Sequence, residues 1–152
     1  MGNFAIPGLS QDNAIFELIS TKQGLSDAGI RSIYQDSQGY IWIGTNNGLN
    51  RYDGYSFDVF RPNPSDSNSI SGKIPYTIIE DAHQNLWVGT WGNGLNLFDP
   101  AKESFIHFTH NPFDSNTISH NWIMSMYIDS KGRFWIGTQD GLNLYDYNTK
   151  SF

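Results

Sequence analysis

One tryptophan, framed each time by the same neighbours, returns three times along this chain. The segments are "GYIWIGTNNGLNRYD" (Gly39 to Asp53), "NLWVGTWGNGLNLFD" (Asn85 to Asp99) and "GRFWIGTQDGLNLYD" (Gly132 to Asp146). A glycine-rich run ending on a carboxylate invites a reading as an active or phosphate-cradling loop. A protein needs its catalytic group once, however, and a segment present in every unit of a repeat builds each unit.

Aligned on Trp42, Trp87 and Trp135, the copies have periods of 45 and 48 residues, the length of a four-stranded propeller blade. Six residues before each Trp stands Asp36, Asp81 or Asp129, and seventeen before it stands Leu25, Ile70 or Ile118, always followed by Ser. Four short strands per unit follow from the pattern. Strand a reads "IRSIYQD", "YTIIED" or "IMSMYID", strand b "YIWIGT", "LWVGT" or "FWIGT", and strand c "LNRYD", "LNLFD" or "LNLYD". Strand d reads "FDVF" and "FIHF" in the first two units.

The a to b turns "DSQG" and "DSKG" place an Asp to cap amides and a Gly to take the left-handed position. In the middle copy, "DAHQN", Asn85 is expected to replace that Gly at the cost of one extra residue. Strand b is apolar on both faces, with Ile41 and Ile43 opposite Trp42, which predicts that both faces are covered. Gly44, Gly89 and Gly137 are expected where neighbouring backbones pass closely.

The fold class is therefore all-β, with three four-stranded antiparallel units as β-propeller blades of an incomplete propeller. With 15% aromatic and 16% charged residues and 15 Gly, the composition agrees. The expected division is a tail over 1–15, an orphan outer strand d and loop over 16–24, and blades over 25–69, 70–117 and 118–152. The last blade lacks most of its strand d. Propellers usually need 4 to 8 blades to close. The orphan strand, Phe16 to Ser20, suggests either a piece of a larger propeller or two chains that exchange this strand. Self-association through strand 16–20, or packing on remaining blades, is the expected consequence.

The formal net charge of −6 and the absence of Lys/Arg clusters argue against nucleic acid and anionic membrane surfaces as partners. There are no cysteines, so thiolate chemistry is excluded. The first residues have neither the basic start nor the apolar run of a signal peptide, and Ile6 stands where a myristoylation motif needs Ser or Thr. No stretch reaches the ~18 apolar residues of a membrane span, so this segment is not expected to insert.

The run of Asp, two residues, Gly, two residues, Trp-Ile-Gly-Thr, then Gly-Leu-Asn and Tyr-Asp, preceded by Asn-Pro and Ser-Ile-Ser, resembles the two-component regulator propeller repeat. Three copies cover Leu25 to Phe152. The resemblance implies seven-bladed propellers in the periplasmic sensor half of hybrid two-component histidine kinases that commonly respond to glycans. It implies a periplasmic sensor segment whose kinase activity lies elsewhere, so that this chain is not itself an enzyme. Sialidase Asp boxes are similar but have one residue between Asp and Gly, whereas Asp36 to Gly39 and Asp129 to Gly132 leave two.

Recurrence also decides the candidate chemistry. Asp36, Asp81 and Asp129 recur at turns, and Asp53, Asp99 and Asp146 at strand ends, which reads as capping rather than acid–base catalysis. His107 and His110 form an HxxH pair, but strand alternation separates residues three apart, so no metal is expected; no cofactor and no catalytic residue is assigned either. The loops that differ between copies are the better candidates. Trp91 stands in the middle b to c loop where the others have Asn46 and Gln139, and "HNW", His120 to Trp122, precedes the third strand a. Trp91, Trp122 and His120, with Asn47, Asn93, Asn121 and Asp140 as polar partners, suit stacking on a sugar and bonding its hydroxyls. The competing expectation is that both tryptophans only pack between blades. The leading function is thus a sensor module that detects a carbohydrate-like ligand such as an oligosaccharide and relays it to a kinase absent from this chain; the alternative is a structural or protein-binding segment with no small-molecule ligand.

Overall fold

The computed structural model describes residues 17–152. Eleven strands follow one short 3₁₀ turn (Thr21–Gln23). β1 (Ile30–Gln35), β2 (Ile41–Thr45), β3 (Gly48–Tyr52) and β4 (Phe57–Phe60) form one antiparallel meander. β5 (Pro75–Glu80), β6 (Leu86–Thr90), β7 (Leu95–Asp99) and β8 (Ser104–Phe108) form the second. β9 (Ile123–Ile128), β10 (Phe134–Thr138) and β11 (Gly141–Tyr145) form a three-stranded third, in which a lone bridge between Asp146 and Ser151 marks where a fourth strand starts. β1 lies against β5 and β5 against β9, so the first strands of the blades adjoin on one side of the stack.

Each a to b turn is built on its Asp. One carboxylate oxygen of Asp36 accepts from the amides of Gln38 (3.0 Å) and Tyr40 (2.9 Å), and the other accepts from the Trp42 indole at 2.7 Å. Asp81 repeats this with His83, Asn85 and, at 2.9 Å, Trp87; Asp129 repeats it with Lys131, Arg133 and, at 3.1 Å, Trp135. The expected capping role is present, and the indole bond is an addition that aligns the Trp for packing. The middle turn departs from expectation. Gln84, at φ 63°, takes the left-handed position rather than Asn85, and Asp81 and Trp87 keep the same six-residue spacing, so no residue is inserted there. Asn85 instead donates its side-chain amide to Asp81 at 3.0 Å. The longer 48-residue period arises elsewhere, from one extra residue in the β6–β7 loop and two between Asp99 and Ser104.

A second recurring hub is the Asn of strand c. Asn50, Asn96 and Asn143 accept from the amides of Ser26, Ser71 and Ser119 at 2.9, 2.8 and 2.9 Å. Their amide groups donate to the carbonyls of Ile43, Val88 and Ile136 on strand b. Asn50 and Asn96 are fully buried, and these bonds satisfy them.

Two cores sit between the blades. Trp42, Leu49 and Phe60 of the first meet Ile78, Leu86, Val88, Phe98 and Phe105 of the second, with Trp42 edge-on to Phe98 at 5.0 Å. Trp87 and Leu95 of the second meet Phe134, Ile136 and Tyr145 of the third, with Trp87 5.0 Å from Tyr145. Strand b therefore turns its Trp toward the following blade and its flanking aliphatics toward the preceding one, which is why it is apolar on both faces. A Cβ on Gly44 would collide with the Pro75 carbonyl of the next blade. Main-chain latches join blades too, from the Gly48 amide to Lys73 (2.9 Å) and from Gly94 to Asn121 (2.8 Å).

The outward face of the third blade has no such cover among the described residues. Leu142 is 69% exposed whereas its counterparts Leu49 and Leu95 are at 0%, and Trp135 is only partly buried beneath the Arg133 guanidinium, 5.1 Å from its ring. Of the expected outer strand at Phe16 to Ser20, Phe16 lies outside the described residues, and residues 17–20 form no strand. Ser20 instead caps the 3₁₀ turn, its hydroxyl accepting from the Lys22 amide. The reason is geometric: the sheet edge such a strand would complete belongs to the third blade, at the opposite end of the stack.

Two outcomes follow. Trp87→Ala should destabilise the protein by about 3–5 kcal/mol, and Trp135→Ala by clearly less, measured by urea unfolding; equal losses would contradict the assignment of packed and open faces. The second concerns acid. Burial raises the Asp81 carboxyl, but the bonds from Trp87 and Asn85 and the amides of Asn85 and His83 outweigh it and hold it low. For Asp129 the Trp135 indole bond leads, and the Arg133 amide and guanidinium add to it, again holding the carboxyl below its usual range. Stability from depressed carboxyls is complete above the unfolded value of about 3.9 and lost as pH falls through the folded values. Unfolding midpoints should therefore hold steady from neutral pH to about 5 and fall below about pH 4. Asp81→Asn should lower the neutral plateau and flatten that fall, and an unchanged acid slope in this variant would refute the role given to Asp81.

Candidate functional site

Each inner strand carries one irregularity at the same place. The pairing of β1 with β2 shifts between Ile30 and Ser32, that of β5 with β6 between Pro75 and Thr77, and that of β9 with β10 opposite Gly137 and Thr138. The residues passed over are Arg31, Tyr76 and Met124. A bulged residue has no ladder partner and is re-aimed out of the alternation of its strand. All three sit at the rim where strand b ends, beside the b to c loops.

Around the second of these positions an aromatic row has formed. The Trp91 ring stacks on Trp122 with centroids 5.1 Å apart and 30° between planes, and Tyr76 lies tilted against it at 5.2 Å. His120 meets Trp122 edge-on at 5.9 Å, and its Nδ1 accepts from the Trp122 amide at 3.0 Å. Tyr76 and Trp91 belong to the second blade, and His120 and Trp122 to the segment entering β9. Trp91 remains 41% exposed, so the row is packed from below and open above.

The loop sequence explains why this occurs once. The extra residue of "TWGNG" is accommodated by Gly92 and Gly94, at φ 95° and 81°. A Cβ on Gly92 would stand 2.9 Å from the Trp122 Nε1, so a glycine there admits the indole beneath the loop. Trp91 is then held as an antiparallel bridge partner of Trp122, and its amide donates to the Ile74 carbonyl at 3.0 Å.

Of the residues singled out from the sequence, Trp91, Trp122 and His120 are brought together. Asn121 is committed to structure, its side-chain oxygen accepting from the His110 amide at 2.7 Å and its carbonyl from Gly94. Asn93 is exposed beside the row, and its carbonyl accepts from the Ser71 hydroxyl. Asn47 belongs to the first blade, where its side chain donates to the Ser26 carbonyl at 3.4 Å. Asp140 is exposed on the third blade, its amide donating to Thr138. Neither shares a contact with the row among the described residues. His107 and His110 each bond a different backbone carbonyl, of Ser69 and Ile118.

Sequence reasoning missed Tyr76 and Arg31. Both line a notch of about 130 Å³ with Ile74 and Trp91. A trace of signal was present, because strand a carries Arg, Tyr and Met at this position, as it carries Gln, Glu and Ile at its end.

Residues 24–47, 68–92 and 117–140 match the two-component regulator propeller family. Over 59 residues the chain is 44% identical to Histidine kinase P4 of Formosa agariphila, a match that covers 39% of the chain and 4% of the kinase. It also superposes on the extracellular domain assigned to hybrid two-component system BT3049 of B. thetaiotaomicron, with a TM-score of 0.83 and 30% identity, over 90% of this chain and 19% of that one. The chain thus spans a small part of the length of these relatives. With the same Asp, Trp and Asn hubs in all three units and this agreement of sequence and fold, the chain is a run of two-component regulator propeller repeats.

Proposed function

We propose that this segment is part of the ligand-sensing region of a two-component signalling protein, exported across the inner membrane, and that its rim binds a carbohydrate-like ligand without transforming it. The observation that carries this reading is the half-open Tyr76, Trp91 and Trp122 row, which presents aromatic faces to solvent at the one b to c loop that departs from the repeat. Aromatic faces stack on the C–H faces of sugar rings, and nearby amides and His120 bond hydroxyls. Kinship with histidine kinase sensor segments supports the signalling half of the proposal. The row is built from two blades, so an occupant that prefers one spacing of blades 2 and 3 shifts their packing, and the relay to a kinase elsewhere would begin there.

A second reading has its own support. The Trp91 and Trp122 stack fastens two blades together, as a structural or protein-binding rim would require. Calorimetry against a panel of neutral and charged oligosaccharides separates the two. Sensing predicts saturable binding that Trp91→Ala weakens about tenfold or more while the variant keeps its fold. Absence of binding across the panel, with Trp91→Ala changing only the unfolding midpoint, favours the scaffold.

A further inference from the structure

The row continues past Tyr76 to a charge. Arg31, the bulged residue of β1, lines the notch from the first blade, with Ile74, Tyr76 and Trp91 contributed by the second. Its Nε donates to the Asn46 side-chain oxygen at 2.7 Å, and Asn46 in turn donates to Asp27 at 3.3 Å. Gly29 is what allows this, since any Cβ there would collide with the Asn46 amide. The guanidinium plane is therefore fixed through Nε, while its two terminal nitrogens have no protein partner among the described residues.

A solvated surface arginine is the plain alternative. Arg51 is paired with Asp58 and Glu103, each at 2.7 Å, and Arg133 with Asp129 at 2.6 Å, whereas Arg61, like Arg31, forms no ion pair among the described residues and donates its Nε to a neutral group, the Asn47 carbonyl at 3.2 Å. What sets Arg31 apart is its place: its fork is tethered to the Asn46 amide at the edge of a notch lined by Tyr76 and Trp91. A guanidinium offers donors only, in a fork that matches two oxygens of a carboxylate or sulfate. A neutral sugar, whose hydroxyls both donate and accept, leaves that fork half used.

Resting on the rim reading above, we propose that the notch takes an acidic sugar, its ring against Trp91 and Tyr76 and its carboxylate or sulfate bidentate on Arg31. The ligand class is thereby narrowed from saccharides in general to anionic ones. Asn46 and Gly29 serve as positioning residues that hold the fork.

The test uses matched pairs on the whole chain: tetragalacturonate against its methyl ester, and, with the uronate reduced in both members, a sulfated chondroitin disaccharide against its unsulfated form. The acidic member of at least one pair should bind about tenfold or more tightly than its neutral mate, with the advantage shrinking as salt rises. Which pair responds tells carboxylate from sulfate. Arg31→Gln should erase the preference, and Arg31→Lys should restore only part of it, since a point charge lacks the fork. Neutral members that bind as well as acidic ones, with Trp91→Ala still weakening both, would overturn the charge assignment and leave the sugar reading standing. No binding by any member would remove both.

Discussion

The bond from a turn carboxylate to a tryptophan indole is the contact on which the rest of the structure rests. In each blade one Asp collects two backbone amides and an indole N–H, at 2.7, 2.9 and 3.1 Å for Trp42, Trp87 and Trp135. The a to b turn and the orientation of the largest side chain are thus decided together. A Trp buried without a partner for its N–H would forfeit about 1–3 kcal/mol, so satisfaction of the donor is a condition of using Trp as the packing element. At Asp81 and Asp129 these bonds lower the proton affinity of the carboxylate, and the same atoms that set the fold set its acid limit.

Blade stacking follows from that fixed Trp. Its ring must pack against something apolar, and what the repeat supplies is the Phe, Tyr and aliphatic face of the next unit, met edge-on or tilted. The interface is directional, with one kind of face leading and another trailing. A stack of such units covers each inner Trp face and leaves its first trailing face and its last leading face open. Ile33 on the first blade and Leu142 and Tyr127 on the third are exposed for this reason, although nothing in their own sequence neighbourhood distinguishes them from buried counterparts.

Much of this was legible in the chain. The period, the Asp caps, the doubly apolar strand b and the missing last strand all follow from comparing three copies of one unit. The Asn hub was readable too, since Asn50, Asn96 and Asn143 never vary, but an Asn in a strand gives no hint of which amide it will bind. The middle turn was misjudged because Asn tolerates positive φ better than Gln as a rule, whereas spacing from Asp81 to Trp87 leaves Gln84 as the residue at that place. The segment after Phe16 resembles an outer strand only when a sheet edge is at hand. Arg31 and Tyr76 were hidden by a bulge, which breaks the in and out alternation on which a reading of strand faces depends.

That bulge also explains where recognition can arise in a repeat this regular. Residues facing either side of a blade answer to the neighbouring blade, and residues in the Asp and Asn hubs answer to the backbone. The bulged position of strand a and the tip of the b to c loop belong to neither set, although in the second blade the loop tip does pack on the next blade through Trp91 and Trp122. At these places the three units diverge, to Arg31 with Asn46, Tyr76 with Trp91, and Met124 with Gln139. The inner strands adjoin, so such positions from successive blades form one continuous strip. The second blade widens that strip further, because one additional glycine lets Trp122 slide under its loop. Divergence at these two places thus gathers on a single surface, to which successive blades each contribute side chains.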